Sequence, residues 1–385
     1  MAETVVTEAK RQRKEPLTDL LVVDLDVHLH ESPGELAPYA DAPWDVALEH
    51  IKDNHESYLD MPSFSPGVTD GSYQAKFPTA HEGARVVTDQ KQMREELDEL
   101  NVDLAILFPD HLLKLPVLTQ APYASAIARA YNAWMLDKWT SQERGLLGCI
   151  VADSHDPHDA AREIEKYADH PEVVGVYLPC AGIDPMWGHR MYDPIYQAAH
   201  DADLPVLLHS VTVTHPVFPF NNHGFDTELG RHACSHTFSI MANIVHMITT
   251  GVVVRYPNLR IGVTEAGLSW MPFLCNRLDK EYLERRREVP FLEERPSYYL
   301  KRQFWVSTQP VEEPEDMRDI VKLIELYDGE DRTVFASDWP HHDFDHPMKI
   351  DQIPFPTDEM RRKVFGENAL ELFRIDSAGR RANLR

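Results

Sequence analysis

The stretch VVDLDVHLHE, residues 22–31, alternates apolar and polar side chains with a period of two. Successive side chains of an extended strand point to opposite faces, so the four polar residues share one face of a predicted strand. They are Asp24, Asp26, His28 and His30. Burying two carboxylates and two imidazoles is costly unless something compensates them. The stretch therefore predicts a partner that these side chains face together.

Seven more short apolar runs follow, with helix-period segments between them. The eight runs are 20–28, 102–110, 144–153, 172–180, 204–210, 259–267, 303–310 and 332–340. Clear helical patterns lie at 124–139, 194–202, 238–252 and 317–327. Near-continuous Val, Ile and Leu runs are typical of parallel strands that are buried on both faces. Eight such units predict an α/β fold, a closed (β/α)8 TIM barrel. A doubly wound open sheet is the alternative, but no glycine-rich phosphate turn follows the first run.

Two long segments interrupt this repeat. Residues 31–101 are too long for a simple strand–helix connection, and we expect a long insertion after strand one that caps the barrel mouth. Residues 211–237 form a second excursion rich in His, Pro, Phe and Asn, and loops of this length are usually functional. We predict a single barrel domain at 20–375, a disordered or loosely packed N-terminal arm at 1–19 and a C-terminal tail at 376–385.

The composition excludes several classes of protein. The net charge is −25, from 63 acidic and 38 basic residues, which argues against nucleic acid or an anionic membrane as a partner. No apolar run approaches the roughly 20 residues of a membrane span, and the N-terminus lacks the apolar core of a secretory signal. The four cysteines form no metal or disulfide motif. We expect a cytoplasmic protein that acts on a small molecule, with a homo-oligomer left open.

Imidazoles and carboxylates stand at the carboxyl ends of four predicted strands, where the active site of such a barrel lies. The main candidates are Asp26, His28, His30, His209, Glu265, Asp338 and His341. Alone, His209 would be a hydrogen-bonded core residue and Asp338 a turn cap, but their joint occurrence favours metal ligands. These donors suit Zn²⁺, Mn²⁺ or Fe²⁺. Weaker candidates to line the pocket are His215, His223, His236 and His342.

The order of these motifs resembles the amidohydrolase superfamily, and more narrowly amidohydrolase family 2, the branch related to aminocarboxymuconate-semialdehyde decarboxylase. The resemblance covers roughly residues 20–375. Its most specific pieces are VVDLDVHLHE, GVVVRYPNLRIGVTEAGLSWMPFLCNRLD, VFASDWPHHDFDHP and KVFGENALELF. Members are (β/α)8 barrels with one divalent metal, and they include non-oxidative decarboxylases, hydratases and hydrolases. The resemblance implies that the strand-one pair, His209 and Asp338 hold the metal.

The strand-one pair itself is open. If Asp26 leads the motif, the ligands are His28 and His30. If Asp24 leads it, they are Asp26 and His28, a register that relatives with D-x-D-x-H favour. His28 belongs to both registers.

Two departures from the family pattern bear on the chemistry. Binuclear members of the superfamily use a carboxylated lysine after strand four, and the run 172–180 has none. We therefore expect one ion, with zinc as the first expectation and manganese or iron as the alternatives. The decarboxylases of this branch carry a histidine after strand six, in an H-x-G motif. This chain has Glu265 in TEAG instead, as a subset of relatives does.

The leading functional prediction is metal-dependent hydrolysis of a small organic acid, lactone or amide-type substrate. Asp338 is then the general base, Glu265 orients the water, and His341 is a further candidate for proton transfer. The alternative is non-oxidative decarboxylation of an aromatic or ring-opened acid, in which Asp338 donates a proton to the ring carbon. A third hypothesis, from another class, is a catalytically inactive barrel used for binding. The complete set of Asp and His donors argues against it.

Overall fold

A computed structural model describes residues 17, 19–54, 87–209, 225 and 227–381. In this part of the chain, eight parallel strands follow one another around one sheet in the order of the sequence. Each predicted run coincides with one strand, and only β1 extends beyond its run, by one residue, so the predicted (β/α)8 barrel is confirmed. The strands are β1 Val23–Leu29, β2 Leu104–Pro109, β3 Leu146–Val151, β4 Val173–Pro179, β5 Val206–His209, β6 Ile261–Val263, β7 Phe304–Ser307 and β8 Thr333–Val334.

Helices connect the strands, and each of the four helical patterns falls on an observed helix, namely Ala121–Lys138, Asp193–Asp201, Glu228–Thr249 and Arg318–Leu326. The α-helices are α1 Pro33–Leu36, α2 Trp44–Asn54, α3 Gln90–Glu99, α4 Ala121–Lys138, α5 Pro157–Tyr167, α6 Asp193–Asp201, α7 Glu228–Thr249, α8 Val252–Arg255, α9 Trp270–Arg285, α10 Pro296–Gln303, α11 Arg318–Leu326, α12 Pro347–Ile350, α13 Asp358–Arg362 and α14 Asn368–Phe373. A π-helical turn, Lys363–Glu367, joins the last two. Short 3₁₀ helices lie at Ala37–Tyr39, His111–Val117, Gln142–Arg144, Arg190–Tyr192, Arg286–Glu288 and Gly329–Asp331.

Every residue of the eight strands is buried. This is the pattern of a parallel barrel whose outer face is covered by helices and whose interior is filled by side chains. The polar side chains of β1 are therefore removed from water. Their charges and lone pairs must be compensated inside the protein.

Backbone hydrogen bonds join β1 to the segment that follows β8. The amide of His28 donates to the carbonyl oxygen of Trp339 at 2.8 Å, and the amide of Asp338 donates to that of Asp26 at 3.1 Å. These bonds bring the carboxyl ends of β1 and β8 side by side. The polar row of β1 and the Asp338 side chain consequently share one end of the barrel.

The domain boundaries at 19/20 and 375/376 stay predictions. In the predicted insertion, 31–54 and 87–101 carry α1, α2 and α3, whereas 55–86 lie outside the described residues. Most of the arm at 1–19 and of the excursion at 211–237 also lies outside them, with His215 and His223. Among the described residues, no helix combines the length and the apolar character that a membrane crossing requires.

Candidate metal centre

Four buried side chains from three strand ends converge at the mouth of the barrel. Nε2 of His28 lies 3.1 Å from Oδ1 of Asp26 and 3.0 Å from Oδ1 of Asp338. Nε2 of His209 lies 3.3 Å from Oδ2 of Asp26. All four side chains are fully buried. The structure thus brings the candidates from β1, β5 and the segment after β8 into one group.

Hydrogen bonds do not account for the atoms at the centre of this group. The two carboxylate oxygens of Asp26 make no hydrogen bond with any described residue, and the same is true of Nε2 of His28. Nδ1 of His28 lies 2.8 Å from the carbonyl oxygen of Pro109. A carbonyl only accepts, so Nδ1 carries a hydrogen, and Nε2 is the nitrogen that faces the carboxylates, where it offers a lone pair to a metal whenever the ring is neutral. Buried polar atoms without partners are costly, and this donor set fits a divalent cation.

The charges of the group depend on one another. Burial alone lowers the pKa of His28, but the carboxylates of Asp26 and Asp338 reverse this and hold that pKa well above its usual value. Burial alone raises the pKa of Asp26, but the charges of His209 and His28 outweigh it and lower that pKa. Two buried carboxylates therefore require positive charge between them, as protons or as a metal ion.

Two carboxylates at this end of the barrel belong to residues with a left-handed backbone. The φ angle is 62° at Asp338 and 50° at Glu265. This conformation is unfavourable for a residue with a Cβ, and it persists where the surroundings fix it, commonly at functional sites. The side chain of Gln309 helps to fix Asp338, because its Nε2 donates to Oδ2 of Asp338 at 3.2 Å.

His341 lies just outside the group and links it to the rim. Its Nδ1 is 2.7 Å from Oδ1 of Asp338, and its Nε2 is 3.2 Å from Oδ1 of Asp110. Oδ2 of Asp110 contacts Nδ1 of His30 at 2.5 Å, and the His30 side chain is 54% exposed. Among the described residues, His30 belongs to no group of three potential metal ligands. Asp110 was not among the candidates, although it closes the second apolar run and the strand-end rule points to it.

Glu265 lies beside His209 at the edge of the group. Its Oε2 is 3.6 Å from Nε2 of His209 and 2.8 Å from Nδ1 of His236. Burial, followed by the negative charges of Asp338 and Asp343, holds the pKa of Glu265 well above its usual value. His236, a weaker candidate in the sequence, therefore lies beside the site.

Asp24, the first polar residue of the row, is bound differently. Its Oδ1 accepts hydrogen bonds from the amides of Ser337 at 2.9 Å and Asp26 at 3.1 Å. Its Oδ2 accepts a hydrogen bond from the hydroxyl of Ser337. Burial raises the pKa of Asp24 to about 7. This carboxylate ties β1 to the segment after β8 and is not directed at the group of ligands.

The amidohydrolase family model matches residues 25–375, and the chain belongs to this family. It is therefore an amidohydrolase-family metal-dependent enzyme, and the family prediction is confirmed. Among curated proteins, the gamma-resorcylate decarboxylase of a Polaromonas species is 22% identical over 354 residues, which cover 86% of this chain and 98% of the relative.

Solved structures share the fold. An amidohydrolase of Mycobacterium avium subsp. paratuberculosis superposes with a TM-score of 0.70 at 19% identity, over 92% of this chain and 99% of that one. A dihydroxybenzoic acid decarboxylase of a Polaromonas species, with bound manganese and the inhibitor 2-nitroresorcinol, gives a TM-score of 0.66 at 16% identity, over 92% and 97%. At these identities the likeness establishes the barrel and not the reaction.

Proposed function

We propose that this chain is a non-oxidative decarboxylase of an aromatic carboxylic acid. It depends on a divalent ion held by Asp26, His28, His209 and Asp338. The observation that carries the proposal is the convergence of these four buried side chains, with both oxygens of Asp26 free of hydrogen bonds from the described residues. The curated relatives at 22% and 23% identity are gamma-resorcylate decarboxylases, which supports the decarboxylase alternative over the hydrolase prediction.

We assign the strand-one pair to Asp26 and His28. Both are fully buried and lie within 3.3 Å of another donor of the group. His30 points toward Asp110 and is half-exposed. For the ion we propose manganese, because a decarboxylase of this fold holds it. The first expectation from the sequence, zinc, has no such support.

The reaction breaks the bond between a ring carbon and the carboxylate carbon. The electron pair of this bond stays on the ring carbon, which takes up one proton, and carbon dioxide leaves. When bound, the ion supplies the positive charge that holds the substrate carboxylate and a neighbouring oxygen. The task left to the chain is to deliver the proton at the ring carbon.

Asp338 and His341 are the residues placed to deliver that proton. Burial alone lowers the pKa of His341, but the adjacent Asp338 carboxylate raises it well above its usual value. His341 therefore holds a proton 2.7 Å from Oδ1 of Asp338. We propose that this proton passes through Asp338 to the ring carbon. Glu265, 3.6 Å from His209, keeps the orienting role that its position after β6 predicts.

The setting we propose is the cytoplasm. Cys149, Cys180, Cys234 and Cys275 are all free thiols, as expected in a reducing compartment. A small aromatic acid is the proposed partner, in line with the small-molecule inhibitor in the Polaromonas structure.

Product mass tests the function most simply. Manganese-loaded protein is incubated with 2,6-dihydroxybenzoate, 5-carboxyvanillate, further hydroxybenzoates, lactones and amides. We expect a hydroxybenzoate to lose one carbon dioxide, and we expect chelator treatment and His209→Ala to abolish the conversion. The matched control is His200→Ala on α6, whose side chain pairs with Asp201 at the surface. Hydrolysis products would restore the hydrolase prediction, and full metal loading without any conversion would favour a binding protein.

A further inference from the structure

A second cluster of potential ligands lies beside the metal centre, where α7 meets the barrel mouth. We call it the α7 cluster, and it consists of His232, His236, Glu265 and Asp343, with His342 at its rim. One ligand atom from each of His232, His236 and Glu265 lies within 4.8 Å of the others. The same holds for the set of His232, His342 and Asp343.

The α7 cluster sets imidazoles against carboxylates. His232 and His236 are one helical turn apart on α7, so their side chains share a face, and their ring centroids are 5.2 Å apart. Nδ1 of His236 lies 2.8 Å from Oε2 of Glu265, and Nε2 of His232 lies 3.7 Å from Oδ2 of Asp343. Two histidines at this spacing on a helix are a common arrangement for a metal.

These contacts are not hydrogen bonds. Oε2 of Glu265 and Oδ2 of Asp343 are buried, and neither accepts a hydrogen bond from any described residue. The side chain of Glu265 is 5% exposed, so water does not compensate it freely. Two buried acceptors facing imidazole nitrogens without a hydrogen bond have the geometry of ligands directed at a common cation.

A third carboxylate adds to the requirement for positive charge. One oxygen from each of Glu265, Asp338 and Asp343 lies within 4.8 Å of the others. Like charges at this distance in a buried setting repel strongly unless protons or a cation compensate them. The same repulsion excludes an anion as the occupant of the cluster.

We propose that the α7 cluster is a second divalent-cation site, adjacent to the first. Its ligands are His232, His236, Glu265 and Asp343. Glu265 lies between the two centres, because the same oxygen is 3.6 Å from Nε2 of His209. The proposed second site uses no carboxylated lysine, and it departs from the expectation of one ion per chain that was drawn from the missing lysine after strand four.

The test counts bound Mn²⁺ by electron paramagnetic resonance, titrating the full-length, chelator-stripped protein. The wild-type protein should bind two ions per chain, and His232→Ala and His236→Ala should each bind one. His209→Ala should also bind one ion, and the double variant His209→Ala/His232→Ala should bind none. The control His200→Ala should bind two, since that residue lies on α6 beside Asp201.

A single ion in the saturated wild-type protein overturns the proposal, and so do two ions in His232→Ala. The His232 side chain is 25% exposed, so its truncation is compatible with folding, which circular dichroism checks. If His236→Ala fails to fold, the wild-type count and the His232→Ala count still decide. The measurement uses no substrate, so its outcome is independent of the proposed decarboxylase activity.

Discussion

Asp24 and Asp26 are two residues apart on β1 and are both fully buried, yet their surroundings are opposite. Asp24 accepts hydrogen bonds from the amides of Ser337 and Asp26 and from the Ser337 hydroxyl. Asp26 accepts none from the described residues and faces His28 and His209 instead. Residue type, strand and burial are the same, so only the partners distinguish the two carboxylates.

The partners of a buried carboxylate therefore separate a structural carboxylate from a metal-binding one in the same polar row. A carboxylate whose lone pairs are filled by N–H and O–H groups of the chain stabilises the fold directly. A carboxylate whose neighbours are imidazole nitrogens needs a cation to complete it. Removing a carboxylate of the first kind should lower the stability of the metal-free protein. Removing one of the second kind should lower metal binding and the stability of the metal-bound protein.

The largest effect is expected at Asp338, which joins the group of ligands to His341. Asp338→Asn keeps the shape and one ligating oxygen but cannot accept and return a proton. We expect part of the metal to remain and turnover to fall on the order of a hundred- to ten-thousandfold. Turnover and metal content are measured on the same samples, with the exposed Asp201→Asn as the control. Near-normal turnover of metal-loaded Asp338→Asn would remove Asp338 from proton transfer.

The next effect compares His28 with His30 at the end of the same row. His28→Ala removes a ligand and should weaken the binding of Mn²⁺ to the first centre by at least about a hundredfold, since even outer partners of ligands cost ten- to a hundredfold. His30→Ala should leave the affinity unchanged, because its ring pairs with Asp110. Competition with a calibrated chelator gives both values. Equal losses would restore His30 as a ligand.

The contrast between Asp24 and Asp26 is tested directly by the free energy of unfolding of the metal-free protein. Asp24→Ala leaves the amide and the hydroxyl of Ser337 without an acceptor, and we expect a loss of about 2 kcal/mol in the free energy of unfolding. Asp26→Ala should change it by less than Asp24→Ala does, because no hydrogen bond of the described residues is lost and His28 can release its proton once the Asp26 charge is gone. Urea unfolding in the presence of chelator measures both. A larger loss for Asp26→Ala would reverse the comparison.

A pH-dependent effect is expected at Glu31, a buried carboxylate that directly follows the row. It accepts hydrogen bonds from the amides of Asp110 and Leu112, and burial followed by the charge of Asp110 raises its pKa to about 8. The folded protein then holds a proton that the unfolded chain releases above about pH 4.5. Between that pH and about 8 the folded state binds more protons, so stability contributed by Glu31 falls as pH rises.

Glu31→Gln removes this titration. The free energy of unfolding of the variant should therefore decline less steeply between about pH 4.5 and 8, by up to about 1.4 kcal/mol per pH unit. Unfolding curves of both proteins across this window provide the comparison. Parallel curves would show that Glu31 does not hold a proton in the folded state.

The fold was predictable because the apolar runs of a buried parallel strand are nearly continuous and stand out from their polar flanks. The start of α7 was not, since the predicted pattern begins at Phe238 while the helix begins at Glu228. The intervening residues, ELGRHACSHT, carry little apolar periodicity. His232 and His236 were consequently not seen as one face of a helix.

The sequence was sufficient to predict which strand ends carry the site, but not which side chains of each end enter it. A period of two places Asp24, Asp26, His28 and His30 on one face, but β1 ends at Leu29 and its register against β2 shifts between Asp24 and Val27. Where a row bends or stops is decided by pairing with neighbouring strands, which the sequence of one strand does not contain. Asp343 was missed for a related reason, because its partner His232 lies far along the chain. Asp110, in contrast, closes the second apolar run and could have been found by the strand-end rule.

We propose above all that the polar row of β1 faces a metal ion. Crystals grown with Mn²⁺ and measured across the manganese absorption edge test it directly. We expect an anomalous peak at ligand distance from Asp26, His28, His209 and Asp338, with Asp24 outside the coordination sphere of the ion. A fully ordered site without a peak there, or a peak held by His30 and Asp110 instead, would contradict it.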